Sequence, residues 1–456
     1  MKIKSVLFNF ENILLIFWVG CLFSINSKIF DLFLEGQNFL KISIIFLRII
    51  VPVLVFLFLI FFFKIKKLNI FILIYLLYGV WQLIVFNPEA KYLITALENY
   101  HLIISMVAIL LIVHVAEYYQ FKNIHIKILY CSIFFIGFIS CYLSVLIIID
   151  FFRSDGTFYL YSNNILITEA RTLLQVNPRI TGVSRMLGLI LFFIFSLYIC
   201  NKKKLFIFDF IFLLIIFIIS FLMYGMQSKG SYISIILLLF YYIIFFKDKI
   251  IKKSFIVFII FLLPIISFET ILKSKIETAL KSKIETADNK AKIESRFLNN
   301  NKIIVNGELK SDYTTGRLEI WKRAFNEIKN RKIILGYGPQ ADRLLLTSEN
   351  FNPNVPRHFY DANASNGLIY SYLCAGIIGL LFMLILYSLI IYEVYKSTFI
   401  KKAFFNKNSY AIFSILTLSF LSVRTIFENG FTLFGIDYIF VIISYFILKK
   451  FNLENN

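Results

Sequence analysis

Four cations stand where they could do chemistry. Arg179 and Arg185 flank the start of an apolar run, and Lys229 sits in the short turn Gln227-Ser228-Lys229-Gly230-Ser231. Arg317 falls in the first turn of the amphipathic stretch that follows Thr314-Thr315-Gly316. A cation there opposes the helix macrodipole by a few tenths to about 1 kcal/mol. That conflict invites a functional reason, because an arginine beside free helix N–H groups makes a phosphate site. A solvated arginine fits the same spacing. Further on, His358 and Asp361 lie near the mouth of another apolar run, within reach of general-base duty, and Ser365 and Asn366 lead directly into that run. Arg424 and Glu428 stand at i, i+4, either neutralising each other or turned toward a polar cavity. Metal and disulfide chemistry are not expected. Cys21, Cys131, Cys141, Cys200 and Cys374 all sit inside apolar stretches, with no Cys-x-x-Cys, and the four His are scattered.

The elements that must hold these groups follow from composition. Of 456 residues, 59% are hydrophobic and 16% charged, and 54 Phe outnumber 47 Lys and Arg together. Soluble domains run near 45–50% apolar and about a quarter charged, so a soluble enzyme, a disordered chain and a coiled coil are excluded. A bilayer span takes roughly 20 apolar residues. Twelve segments qualify: 6–25, 42–63, 68–86, 98–116, 128–152, 183–200, 205–224, 231–246, 254–272, 366–395, 409–427 and 431–448. The expected fold is all-α: a polytopic membrane helix bundle of about 12 transmembrane helices with a large helical periplasmic loop. Residues 1–272 carry spans one to nine, 273–365 the loop, and 366–456 spans ten to twelve. Arg48, Arg185, Arg424, Glu428 and Asp437 fall within or at the rims of spans. Each costs about 2.5–3.5 kcal/mol at a helix centre on insertion scales, so they are expected to face a polar interior.

The formal charge of +20 reports topology rather than nucleic-acid binding. Counted over alternate connections, one set holds 20 Lys and Arg and the opposite short connections hold seven. The positive-inside rule then puts both termini in the cytoplasm and exports connections 153–182 and 273–365. The longer one carries 17 basic against 11 acidic residues, which suggests an anionic partner. On this topology Arg179, Arg185, Lys229 and Arg317 share one outward-facing level, the depth at which a lipid-linked diphosphate presents its charge.

Within the long loop, Lys273–Leu280 repeats as Lys281–Asp288, and the spacing predicts that span nine continues outward as a polar-faced helix. Residues 299–313 read as irregular loop. From Arg317, the residues Leu318, Trp321, Phe325 and Ile328 form one apolar stripe, ending before the turn signal Gly336-Tyr337-Gly338-Pro339. Gly376 and Gly379 are expected to serve a close helix contact.

These motifs together resemble the O-antigen ligase/O-antigen polymerase family: Gly316-Arg317 with Trp321, then Gly336-Tyr337-Gly338, then Asn366 ahead of Gly376-Ile377-Ile378-Gly379. Arg179-Ile180-Thr181-Gly182 matches the family's Arg-x-x-Gly, and Ser228-Lys229 stands where the family has Ser-Arg. The resemblance covers about 179–440. It implies a multi-pass glycosyltransferase of the bacterial inner membrane with a periplasmic active site. The implied donor is an undecaprenyl-diphosphate-linked oligosaccharide, with membrane lipid around it, a chain-length regulator as a further partner, and no metal, cofactor or nucleic acid. Arg179, Arg185, Lys229 and Arg317 would bind the diphosphate, joined by Ser365, Asn366 and Arg424 on the glycan side, and Asp361 or His358 would supply the base. Ligases of the family place a His where this chain has Ser365, and serine is no base near neutral pH without help. The expected activity is therefore polymerisation of a surface polysaccharide. The alternatives are ligation to lipid A-core and a flippase for the same lipid-linked glycan. Against the flippase stand the missing repeat between the two halves and the long exported loop.

Overall fold

The computed structural model describes residues 12–22, most of 50–58, 69–85, 102–111, 124–153, 180–201, 206–225, 229–245, 249–267, 302–305, 308–311, 317–346 except 332, 364, 366–433 except 405, and 437–454. The helices are α1 (Asn12–Leu22), α2 (Ile70–Ile84), α3 (Leu102–Leu111), α4 (Ile124–Arg153), α5 (Ile180–Cys200), α6 (Phe206–Gly225), α7 (Lys229–Phe245), α8 (Lys249–Ser267), α9 (Arg317–Asn330), α10 (Ala341–Leu346), α11 (Gly367–Tyr395), α12 (Ser409–Thr425) and α13 (Asp437–Glu454). Strands β1 (Lys302–Val305) and β2 (Glu308–Ser311) stand between α8 and α9.

Eleven of the twelve expected spans coincide with a described helix, from α1 to α8 and from α11 to α13. Among the described residues three helices are long and apolar enough to cross a membrane: His125–Tyr142, Gly182–Cys200 and Gly367–Ile400. Six shorter apolar helices accompany them. The last helix starts at Asp437 rather than 431, because the chain turns through a positive-φ Phe431 first. The tandem repeat at 273–288 and Arg48 lie outside the described residues.

The stretch expected to be irregular instead pairs as an antiparallel hairpin, Val305 opposite Glu308 and Lys302 opposite Ser311. The missed signal is Asn306-Gly307, a two-residue connection suited to a tight hairpin, after the β-branched run Ile303-Ile304-Val305. Among the described residues the fold is therefore predominantly helical, with one small hairpin, where an all-α chain was expected.

The chain forms two compact units, Met1–Phe135 with Glu319–Asn456, and Ile136–Leu318. In the first, α12 packs along α13, and α11 packs against α2 and α12. Asparagines start three of these helices by accepting orphan N–H bonds: Asn69 from Phe71, Asn366 from Leu368 and Ile369, and Asn408 from Ala411. The Phe71 and Tyr445 rings stack at 3.9 Å and join α2 to α13. In the second unit α6 packs on α5 and α8, and α7 on α8. Pro264 inside α8 lacks an N–H and disturbs the preceding turn. Ser220 and Tyr232, from α6 and α7, both donate to the Phe261 carbonyl in that turn, so neighbouring helices satisfy the disturbed backbone.

Candidate functional site

The sequence Gly336-Tyr337-Gly338 meets Gly376 at a break in α11. Gly376 has φ +64° and ψ −155°, a conformation open essentially to glycine alone. The break strands carbonyls in the middle of an apolar helix, where an unmet backbone group costs several kcal/mol. Other segments meet them. Tyr337 N donates to Leu373 O at 3.0 Å, Gly338 N to Cys374 O at 2.9 Å, and Trp81 Nε1 to Ala375 O at 2.9 Å. In return Ile377 N donates to Ile334 O at 3.0 Å. A Cβ on Gly376 would collide with Ile334 O, and one on Gly336 would lie 2.5 Å from Cys374 O. The close helix contact expected of Gly376 and Gly379 is not what the structure shows: Gly376 breaks the helix against Ile334, and a Cβ on Gly379 would crowd Ala375 and Ser371 of α11 itself, with Tyr78 of α2 at an ordinary 3.5 Å. The two glycine motifs are thus halves of one joint between the long loop and a span.

That joint anchors α9. Its buried face is Ile320, Trp321, Ala324 and Ile328, packed on Ile369, Tyr370, Leu373 and Cys374 of α11. The expected stripe is rotated: Leu318 and Phe325 are exposed, and Ile320 and Ala324 take their places. Ala324 is fully buried in that cluster.

Just beyond the joint a polar knot closes the mouth of α11. Asp342, wholly buried, accepts through Oδ2 from Ala364 N at 2.9 Å and from Asn429 Nδ2 at 3.2 Å. Asn429 Oδ1 in turn accepts from Asn366 N at 3.2 Å. Asn366 caps α11 with its Oδ1 and donates Nδ2 to Ile426 O at 2.9 Å. Both neighbours of position 365 are therefore held by hydrogen bonds. Gly367 is needed there, since a Cβ would strike Thr425 and lie 3.1 Å from Gly430 O. Two residues before Ile426, Arg424 is 1% exposed, with Nη2 3.6 Å from Glu428 Oε1. The expected pairing holds, although α12 ends at Thr425 and Glu428 belongs to the turn after it.

Of the residues singled out from the sequence, Asn366 stands at this mouth, and its bond to Ile426 O falls two residues beyond Arg424. Arg185 is half-buried in α5, its Nη2 3.8 Å from where a Gly182 side chain would begin. Lys229 and Arg317 are the first residues of α7 and α9, and only their backbones are described. Arg179, His358, Asp361 and Ser365 lie outside the described residues. Sequence reasoning passed over Asp342 and Asn429. The available signals were an acid in the first turn of a helix following Gly-Pro, and an Asn-Gly turn after a span. Among the described residues no three His, Cys, Asp or Glu gather closely enough to hold a metal ion.

The joint and the N-cap of α11 coincide with a known family segment. Residues 213–384 match the family model of the O-antigen ligase. The match spans over a third of the chain, from α6 to the middle of α11, and supports the O-antigen ligase/polymerase family. It includes Lys229, Arg317, Gly336-Tyr337-Gly338, Asp342, Asn366 and the three glycines of α11. Members of this family are membrane-embedded, glycosyltransferase-like enzymes acting on lipid-linked oligosaccharides. No curated protein and no solved structure matches the chain.

Proposed function

We propose that this chain is the polymerase of a bacterial surface polysaccharide in the inner membrane. It transfers a glycan from undecaprenyl diphosphate to the next lipid-linked repeat unit at the periplasmic face. The observation that carries this reading is the O-antigen ligase family match over 213–384. Polymerase is preferred to ligase because Ser365 stands where ligases carry His.

The step is displacement at the anomeric carbon: the acceptor hydroxyl forms the new glycosidic bond as the bond to the diphosphate breaks. Charge grows on the departing diphosphate, and Arg179, Arg185, Lys229 and Arg317 neutralise it. Lys229 keeps the charge of the family's arginine but not its bidentate fork, so Lys229 contributes a point charge to the diphosphate. Holding hydroxyl and carbon in line supplies much of the remaining acceleration. Asp361 or His358 accepts the hydroxyl proton. Ser365 and Asn366 stand on the glycan side at the mouth of α11, and Arg424, buried beside it, supports that mouth through its pair with Glu428. Neither metal nor cofactor takes part in this scheme.

The glycan profile of a deletion strain tests the assignment. Lipid A-core carrying one repeat unit is the expected result. Bare core with accumulated lipid-linked polymer makes the chain a ligase, and loss of every outward-facing intermediate makes it a flippase.

A further inference from the structure

The turn after α9 bonds to α11 at a depth where water is scarce. Glu393 is the first charge in α11, and Ile377 precedes it by 16 residues. At ~1.5 Å per residue that is about 24 Å, inside a hydrocarbon layer about 30 Å thick if Glu393 marks one border. Yet Ile334, bonded to Ile377, is 65% exposed, and Leu335 is 57% exposed. Phe325 on α9 is 60% exposed, and Ile377 and Leu381 on α11 are also open. Exposed apolar side chains thus stand both on the span and on the loop segment bonded to it.

Charge fits the same picture. Phe325 is bracketed by exposed Lys322 and Lys329, at i−3 and i+4 on the same edge of α9. An apolar anchor between two lysines is the pattern of a helix at a membrane interface, the stems lying in the apolar layer and the ammonium groups reaching lipid phosphates. Non-helical backbone at such depth is tolerated where protein satisfies it. The bonds of Ile334, Tyr337 and Gly338 to the broken stretch of α11 provide this.

We propose that α9 and the turn Ile333–Gly338 form a re-entrant element, with Phe325, Ile334 and Leu335 covered by phospholipid acyl chains and Lys322 and Lys329 on headgroup phosphates. The leaflet is the one at the N-terminal end of α11. The element is part of the membrane domain, not a water-borne cap, whichever glycan the protein handles.

Photo-crosslinking tests it. The photoreactive residue p-benzoylphenylalanine is placed singly at position 325, 335 or 323, and the full chain is reconstituted in nanodiscs of phosphatidylethanolamine and phosphatidylglycerol. Size-exclusion profiles matching the unsubstituted protein establish that each variant is folded. After irradiation, mass spectrometry should find phospholipid-mass adducts at 325 and 335 several-fold above those at 323, on the opposite edge of α9. Adducts no more frequent at 325 and 335 than at 323, or cross-links from those positions to a second protein copy, would overturn the proposal.

Discussion

Asp342 holds Ala364 in place: its buried Oδ2 lies 2.9 Å from the Ala364 amide nitrogen, across 22 residues of chain. Through Asn429 the same oxygen is coupled to the cap of α11, so one carboxylate ties three chain segments at the mouth of a span.

Removing that carboxylate should loosen the mouth. Asp342→Ala leaves the buried Ala364 N–H and the half-buried Asn429 amide without their acceptor, a loss of about 1–3 kcal/mol. Asp342→Asn keeps one acceptor oxygen and should lose less. Thermal midpoints of the purified protein order the three chains as wild type, Asn, Ala. Asn429→Ala combined with Asp342→Ala should fall short of the summed losses, because both disrupt one contact. Strict additivity would show that the knot is not a unit.

The glycines give opposite signs. Gly376→Ala forces a side chain onto a backbone conformation reserved for glycine and onto Ile334 O, and should lower stability by more than the 1–3 kcal/mol typical of such strain. Gly137 sits in α4 with open space where its Cβ would be, so Gly137→Ala should be neutral or raise stability by about 0.5–1 kcal/mol. Detergent-solubilised melting curves separate the two. A tolerated Gly376→Ala would remove the reason for the joint.

Arg424 and Glu428 form a pair with one end sealed and the other partly open. Glu428→Ala leaves a buried guanidinium without its carboxylate and should cost up to about 3–5 kcal/mol, reduced by whatever water reaches the open end. Glu428→Asp, if the shorter arm still reaches, should restore part of it. Folded yield after membrane extraction reads the difference.

Arg317→Ala should abolish polymer while leaving the protein in the membrane at normal abundance. Arg317→Lys keeps the charge and loses the fork, so short chains should persist. Immunoblots for the protein beside gels of the polysaccharide make the comparison. Normal long chains from the alanine variant would remove Arg317 from the mechanism.

Topology is checked by a reporter joined after Lys450. The charge asymmetry of the short connections predicts a cytoplasmic end, so an export-dependent reporter should be silent there, and an active one would reverse the topology.

The hydrophobic runs of this chain were sufficient for its helices. Eleven of the expected segments meet a helix because a stretch of apolar residues has one favourable state in lipid, the hydrogen-bonded helix, and that requirement is local. The Asn-capped starts of α2, α11 and α12 are local for the same reason. Family-bearing motifs were legible too, since Gly336, Gly338 and Gly376 stand out against a Phe-rich background. What they do was not legible. A glycine signals only that a side chain is excluded; that Gly336 is excluded by the backbone of Cys374 depends on two segments nearly forty residues apart meeting. Asp342 and Asn429 carried no periodic signal, because a buried hydrogen-bond network is defined by its partners. The rotation of the apolar face of α9 belongs to the same class. The spacing put Phe325 on the inner face; which side of α9 joins the cluster of Ile369, Leu373 and Cys374 is a tertiary matter, and that side carries Ala324 and leaves Phe325 outside.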